Sequence, residues 1–213
     1  MTLATPETKA PPARRHRGVV TVTLILGALL LTATINVERS SMLFVVAGLA
    51  LALVWTVGFT LTHGWRRHFD TRPGPDITVG IAVGVGMFGV FVAAAWVARR
   101  TGVLEGPIDD ILRQADDQAL AWVIALTVVN AGAEELFFRG ALMDALAGAR
   151  ASLVSTALYV AVTLAGGNLA LAIAAAVMGT VFAVQRRITG ALVVPIVTHI
   201  VWSVLMVTAF PRS

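Results

Sequence analysis

Long apolar stretches alternate with short polar ones along most of the chain. The candidate membrane spans are 18–35, 41–62, 77–98, 119–138, 151–165, 169–185 and 191–210. A helix that rises ~1.5 Å per residue needs about 20 apolar residues to cross a bilayer. The fifth and sixth spans are short and Gly166-Gly167-Asn168 separates them, so a hairpin that does not fully cross is an alternative for this pair. The pattern predicts an all-α, polytopic bundle of about seven to eight transmembrane helices.

The composition agrees with a membrane protein and excludes most other classes. Of the 213 residues, 57% are hydrophobic and 13% are charged, whereas soluble domains are about 45–50% apolar and about 25% charged. The chain has no cysteine, which excludes disulfides, cysteine nucleophiles and thiolate metal sites. The net charge of +4 does not indicate nucleic-acid binding, because no basic patch is interleaved with stacking aromatic residues.

Basic residues predict the orientation of the chain. With the N-terminus inside, the inner segments carry 11 of the 16 Lys and Arg residues and the outer segments carry 5. The positive-inside rule therefore predicts a multi-pass plasma-membrane protein with a cytoplasmic N-terminus. We expect a disordered cytoplasmic tail over 1–17, membrane spans with an acidic outer loop over 18–118, and a C-terminal core over 119–210. The outer loop, 99–118, is interpreted as a short interfacial helix, which serves either as a lid or substrate rim or as a solvated connector.

Small residues line the third span. Gly80 and Gly84 form a Gly-x-x-x-Gly pattern, which allows two helices to approach closely. We interpret it as packing inside the bundle rather than as a dimer contact.

Ionisable residues lie deep in two of the predicted spans, the fourth and the seventh, and such residues are costly in a bilayer. Glu135 and Arg139 are four residues apart, in the order that favours an ion pair. We expect Arg139 to extend from this pair to the cytoplasmic headgroups. Glu134 is then left without a local cation and is the candidate general base. Asn130 lies on the same helix face as Glu134.

His199 is the only histidine within a predicted span, and Ser203 follows one turn later on the same face. The fourth and seventh spans run in opposite directions. Glu134 and His199 would therefore both lie in the inner half of the bilayer, where they could meet. The alternative interpretation is a core histidine bonded to a backbone carbonyl or to Asn130.

Two segments together resemble the CPBP family (CAAX-protease and bacteriocin-processing, or Abi) of intramembrane metalloproteases. The segment 134–140, EELFFRG, is similar to the family's EExxxR motif. The stretch 178–199 resembles the family's closing part, with its glycine, basic turn, proline and last histidine. The resemblance covers roughly 119–210. Thr163 stands where the family's FxxxH histidine is expected, and Ser203 stands where its final asparagine is expected.

The resemblance implies an endopeptidase that hydrolyses membrane-associated, prenylated or leader peptides with an activated water. Glu134 would be the base, and His199 with Ser203 would stabilise the oxyanion. Glu135 and Arg139 match the remaining positions of the first motif.

Thr163 changes what the resemblance implies. Its hydroxyl can bond a water, but it cannot act as a base near pH 7 and is a poor zinc ligand. The family's zinc would therefore meet an incomplete ligand set, with Glu134 and His199 as the candidate ligands. Cleavage is expected to be slow or absent.

A catalytically weak or inactive family member is the alternative function, acting as a membrane scaffold or a bacteriocin-immunity protein. A transporter is disfavoured, because the chain has no paired broken helices in two matching halves and no ring of like charges. The expected partners are a peptide or membrane-protein substrate and membrane lipid, with no nucleic acid.

Overall fold

The computed structural model describes residues 14–38, 41–62, 73–101 and 120–210. These residues form helices without any strand, which confirms the all-α prediction. The seven helices are α1 (Arg14–Asn36), α2 (Met42–Thr62), α3 (Pro73–Thr101), α4 (Leu120–Leu146), α5 (Ala151–Leu164), α6 (Leu169–Thr189) and α7 (Val193–Ala209).

Five of these helices are long and apolar enough to cross a membrane: α1, α2, α3, α4 and α6. The other two, α5 and α7, are apolar but shorter. A multi-pass membrane protein with roughly seven spans agrees with this arrangement. The proposed interfacial helix of the outer loop falls on residues 102–118, which lie outside the described residues.

Several helix boundaries differ from the predicted spans. α3 extends beyond 77–98 at both ends, and α4 ends at Leu146 rather than at 138. α1 begins at Arg14 rather than at 18, because arginine is a strong helix former and extends the apolar helix toward its N-terminus. α6 continues four residues beyond 185, through Arg186 and Arg187, and ends where Gly190 adopts a left-handed φ of 71°. Charge at the end of a span thus marks the limit of its apolar part rather than the end of the helix.

The pair α5 and α6 forms a helical hairpin. The turn contains Gly167 at a φ of 85°, which L side chains rarely adopt. Asn168 then caps α6, because its side-chain oxygen accepts a hydrogen bond from the Leu171 N–H at 3.0 Å.

The N-terminal helices take part in the same core as the C-terminal ones. Trp55 of α2 stacks on Phe137 of α4 with ring centroids 4.8 Å apart, and it also contacts Phe138 at 5.1 Å. Trp55, Phe59, Phe137 and Phe138 are all fully buried. α2 therefore covers the segment of α4 that follows the two glutamates.

Gly80 and Gly84 of α3 lie against α7. A Cβ atom at Gly80 would be 2.7 Å from the Val197 Cβ, and one at Gly84 would be 2.9 Å from the Val201 Cβ. Both distances are shorter than a real contact allows, so glycine is needed for this approach. The predicted packing inside the bundle is confirmed.

Candidate active site

α4 widens into a π-helical turn over Leu136–Leu142, directly after the two glutamates. All seven residues of this turn are buried. Neighbouring helices donate to its carbonyls: Ser155 Oγ to Phe138 O at 2.7 Å, and Arg186 Nε to Arg139 O at 3.2 Å. Single π-helical turns inside α-helices are frequent at functional sites. This turn directs Arg139 into the bundle instead of along the helix toward its end.

Arg139 is completely buried. Its Nη1 donates to Glu135 Oε1 at 3.1 Å, and its Nη2 donates to the Gly179 carbonyl at 3.0 Å. The guanidinium lies over the rings of Tyr159 and Phe182, at 4.8 and 5.1 Å from their centroids. A buried charge is tolerated when it is paired and hydrogen-bonded, and aromatic faces add cation–π attraction.

The predicted ion pair between Glu135 and Arg139 is present, but the predicted position of the arginine is wrong. Arg139 does not extend to the headgroups, because its side chain is enclosed by α5 and α6 as well as by α4. Reaching the bilayer surface would leave Glu135 buried without its counter-charge, which costs several kcal/mol, about 3–5.

His199 joins α7 to this ion pair. Its Nδ1 lies 3.1 Å from the same Glu135 Oε1 that Arg139 contacts. The imidazole also stacks on Phe182, with centroids 4.6 Å apart and an interplanar angle of 28°. Since an ionised carboxylate only accepts hydrogen bonds, the contact requires the proton on Nδ1. The bond thus fixes the orientation of the ring, and the other ring nitrogen, Nε2, takes no part in it.

The partner of His199 therefore differs from the sequence-based expectation. The meeting of α4 and α7 that we predicted through Glu134 is made by Glu135. Asn130, the alternative partner, is occupied elsewhere: its Nδ2 donates to Gly48 O at 3.1 Å and to Leu126 O at 2.9 Å. Asn130 thus connects α4 to α2 and takes no part in the cluster of Glu135, Arg139 and His199.

Glu134 lies beside this cluster and has a different environment. Its Oε2 accepts a hydrogen bond from the Tyr159 hydroxyl at 2.9 Å. Glu134 is half-buried, whereas Glu135 is fully buried. His199 and Arg139 are both close enough to act electrostatically on its carboxylate. Of the two adjacent acids, Glu134 is therefore the one with access to a substrate or a water.

The two positions that depart from the family pattern are not hydrogen-bonded to the acids. Thr163 donates to the Tyr159 carbonyl of its own helix at 2.9 Å. Ser203 is half-buried and has no hydrogen-bond partner among the described residues.

Sequence reasoning missed Tyr159. The chain has a single tyrosine, and a phenol inside an apolar helix usually finds a polar partner. That combination is the signal that could have identified it.

A family comparison agrees with this geometry. Residues 116–205 match the family model described as type II CAAX prenyl endopeptidase, Rce1-like. This C-terminal segment of the chain is similar to that family, in agreement with the resemblance of its motifs. The matched segment contains α4 to α6, most of α7 and every residue of the cluster, whereas α1 to α3 precede it. No curated protein and no solved structure gives a significant match.

The donor set of this site does not fit zinc. Catalytic zinc usually takes three protein ligands, and no three His, Cys, Asp or Glu side chains converge as a metal site anywhere in the described ranges. Glu135 Oε1 is already bonded to Arg139 and His199, and Thr163 is bonded to its own backbone. Oε2 of Glu135 is buried without a partner there, but one oxygen does not make a site. No catalytic step is therefore derived through a metal.

Proposed function

We propose that this protein is an intramembrane endopeptidase that hydrolyses membrane-associated peptides with a water activated by Glu134. The observation that carries the proposal is the division of labour between the adjacent acids. Glu135 is buried and bonded to Arg139 and His199, while Glu134 is half-buried and held by one phenol. The Glu135 carboxylate therefore holds Arg139 and His199 in place, and the Glu134 carboxylate is the one proposed to act as the general base.

The reaction is a hydrolysis in two steps. The water oxygen attacks the scissile carbonyl carbon as one of its protons passes to Glu134 Oε1. The carbon–nitrogen bond then breaks, and the same proton passes from Glu134 to the leaving nitrogen. The products are an amine and a carboxylic acid, which then loses its proton to water. General acid–base assistance of this kind is worth about 10²–10⁴-fold.

His199 supplies the oxyanion interaction in this proposal. Its Nδ1 is bonded to Glu135, so Nε2 is the nitrogen that can donate to the developing charge when the ring is protonated. Ser203, one helical turn away, would add a hydroxyl donor once substrate is bound. Thr163 contributes no base, since a hydroxyl does not ionise near neutral pH.

The substrate class follows from the family. Its description names prenyl endopeptidases, so prenylated C-terminal peptides are the first substrates to test and leader peptides the second. The excess of basic residues in the inner loops favours a cytoplasmic N-terminus in the plasma membrane. In that orientation the site faces cytoplasmic peptides and membrane-protein tails, with lipid around the bundle.

A catalytically inactive scaffold or bacteriocin-immunity protein is the second candidate function. It is favoured by Thr163, whose hydroxyl is bonded inside its own helix and cannot replace a histidine. It is also compatible with the ion cluster, which links α4, α6 and α7 whether or not any substrate binds.

Peptide cleavage by the purified protein in lipid nanodiscs separates the two functions. A farnesylated C-terminal peptide and its unprenylated form are incubated with wild type, with Glu134→Gln and with Glu38→Gln. Glu38 is exposed, so the second variant makes the same chemical change away from the site. We expect slow cleavage by wild type and by Glu38→Gln. The rate should fall about 10²–10⁴-fold in Glu134→Gln.

Equal cleavage by wild type and Glu134→Gln would contradict the enzymatic proposal. The free energy of unfolding gives the second criterion. An enzyme in which Glu134 serves chemistry loses little stability in Glu134→Gln, whereas a scaffold that depends on this carboxylate is destabilised.

A further inference from the structure

We propose that Tyr159 is a positioning residue that holds the Glu134 carboxylate in the orientation from which it accepts a proton. The inference deepens the proposed function and rests on it. Tyr159 is the only tyrosine of the chain. It lies one helical turn before Thr163, the position at which the family resemblance places a histidine.

The position of the Tyr159 hydroxyl is set by the packing of its ring. Tyr159 is 8% exposed, and its ring packs edge-on against Phe138 with centroids 4.9 Å apart. The Arg139 guanidinium lies 4.8 Å from the centroid of the same ring. A buried ring with such neighbours has little freedom to rotate away. Its hydroxyl therefore stays at 2.9 Å from Glu134 Oε2.

This contact gives the two carboxylate oxygens of Glu134 different surroundings. Oε2 is engaged by the Tyr159 hydroxyl, so Oε1 is the oxygen left to approach a water. A hydrogen bond to an ionised acceptor is about twice as strong as a neutral one. A single donor can therefore fix the plane and rotamer of the carboxylate before substrate arrives.

The neighbouring hydroxyl cannot take over this function. Thr163 lies on the same face of α5, four residues later, but its hydroxyl donates to the Tyr159 carbonyl. On the described part of α5, the hydroxyl bonded to a catalytic carboxylate is thus that of Tyr159. The chain keeps a polar group next to Glu134, one turn earlier than the expected histidine.

Tyr159→Phe tests the proposal, because it removes the hydroxyl and keeps the ring. The matched control is Thr156→Val, which removes a hydroxyl of the same helix that donates to Gly179 O at 3.2 Å. Both variants are assayed in nanodiscs on the farnesylated peptide. We expect kcat to fall about 10- to 100-fold in Tyr159→Phe, as for loss of a bond to a charged group. KM should be unchanged, and Thr156→Val should keep the wild-type kcat.

Unchanged kcat in Tyr159→Phe would overturn the proposal, and so would an equal loss in both variants. Infrared spectroscopy supplies a readout that does not need turnover. The carboxyl band of Glu134 is assigned by its disappearance in Glu134→Gln, and we expect that band to move in Tyr159→Phe but not in Thr156→Val. A band that does not move overturns the positioning role even if the enzyme is active. A band that moves in a protein that cleaves nothing supports the contact and contradicts the proposed function instead.

Discussion

Two faces of α7 are attached to the bundle by opposite kinds of contact. On one face, Val197 and Val201 lie against the glycines of α3, Gly80 and Gly84. On the other face, His199 bonds to Glu135 of α4 and stacks on Phe182 of α6. Lipid offers no hydrophobic force to bring helices together, so membrane bundles use small residues or polar contacts. This helix uses both.

The two contacts differ in the substitutions that they tolerate and in whether they can take part in catalysis. The glycine contact depends on shape and carries no chemistry. The charged contact depends on pairing, and removing one member leaves a charge in a medium that cannot solvate it. We therefore expect damage to the charged face to be the more severe, and only that face to affect catalysis.

The largest effect is expected from Arg139→Met. This variant leaves Glu135 buried without a cation, and breaking a buried pair costs about 3–5 kcal/mol. The free energy of unfolding, measured in mixed micelles with a denaturing detergent, checks it. Arg187→Met is the control, because Arg187 is exposed. If Glu135→Gln added to Arg139→Met fails to restore part of the loss, the ion pair is not the origin of the effect.

A smaller loss is expected on the glycine face. Gly80→Ala places a Cβ 2.7 Å from the Val197 Cβ and 3.1 Å from the Val194 carbonyl oxygen. α3 and α7 must then separate, which costs about 1–3 kcal/mol for an overpacked contact. Gly86→Ala is the matched control, because nothing lies within 4 Å of its Cβ position. The same micelle unfolding assay compares them, and equal stabilities would show that the two helices do not depend on this approach.

The smallest effect concerns the π-helical turn that follows the two acids in α4. Ser155→Ala removes the donor to Phe138 O, a buried bond of 2.7 Å, and is expected to cost about 1 kcal/mol. Ser152→Ala is the same substitution on the same helix, at a buried hydroxyl without a partner among the described residues. It should leave the unfolding free energy unchanged. If Ser155→Ala were instead more stable than Ser152→Ala, the π-helical turn would not depend on the hydrogen bond from Ser155.

Much of the architecture was predictable because lipid restricts the choices. A chain in a bilayer must satisfy its backbone internally, so apolar length predicts helices. The described residues form seven helices, and five of them are long and apolar enough to cross a membrane. The packing of Gly80 against a neighbouring helix was also predictable, as was the Glu135–Arg139 pair, because both follow from spacing along one helix.

The roles of the two glutamates required more than spacing. Neighbouring residues of a helix point about 100° apart, so a modest rotation of α4 decides which acid faces His199. The π-helical turn follows the two acids over Leu136–Leu142, and no residue type in EELFFRG predicts it. The same holds for Tyr159, whose hydroxyl meets Glu134 across 25 residues of sequence.

The sequence by itself determined that this is a helical membrane protein, because hydrophobic length and local spacing are properties of single helices. Its motifs also resemble those of a CAAX-protease family. Tertiary structure alone decided that Arg139 is enclosed, that Glu135 rather than Glu134 holds His199, and that a tyrosine holds Glu134. Those outcomes depend on how helices are rotated and packed against one another, and that information lies in the contacts between them.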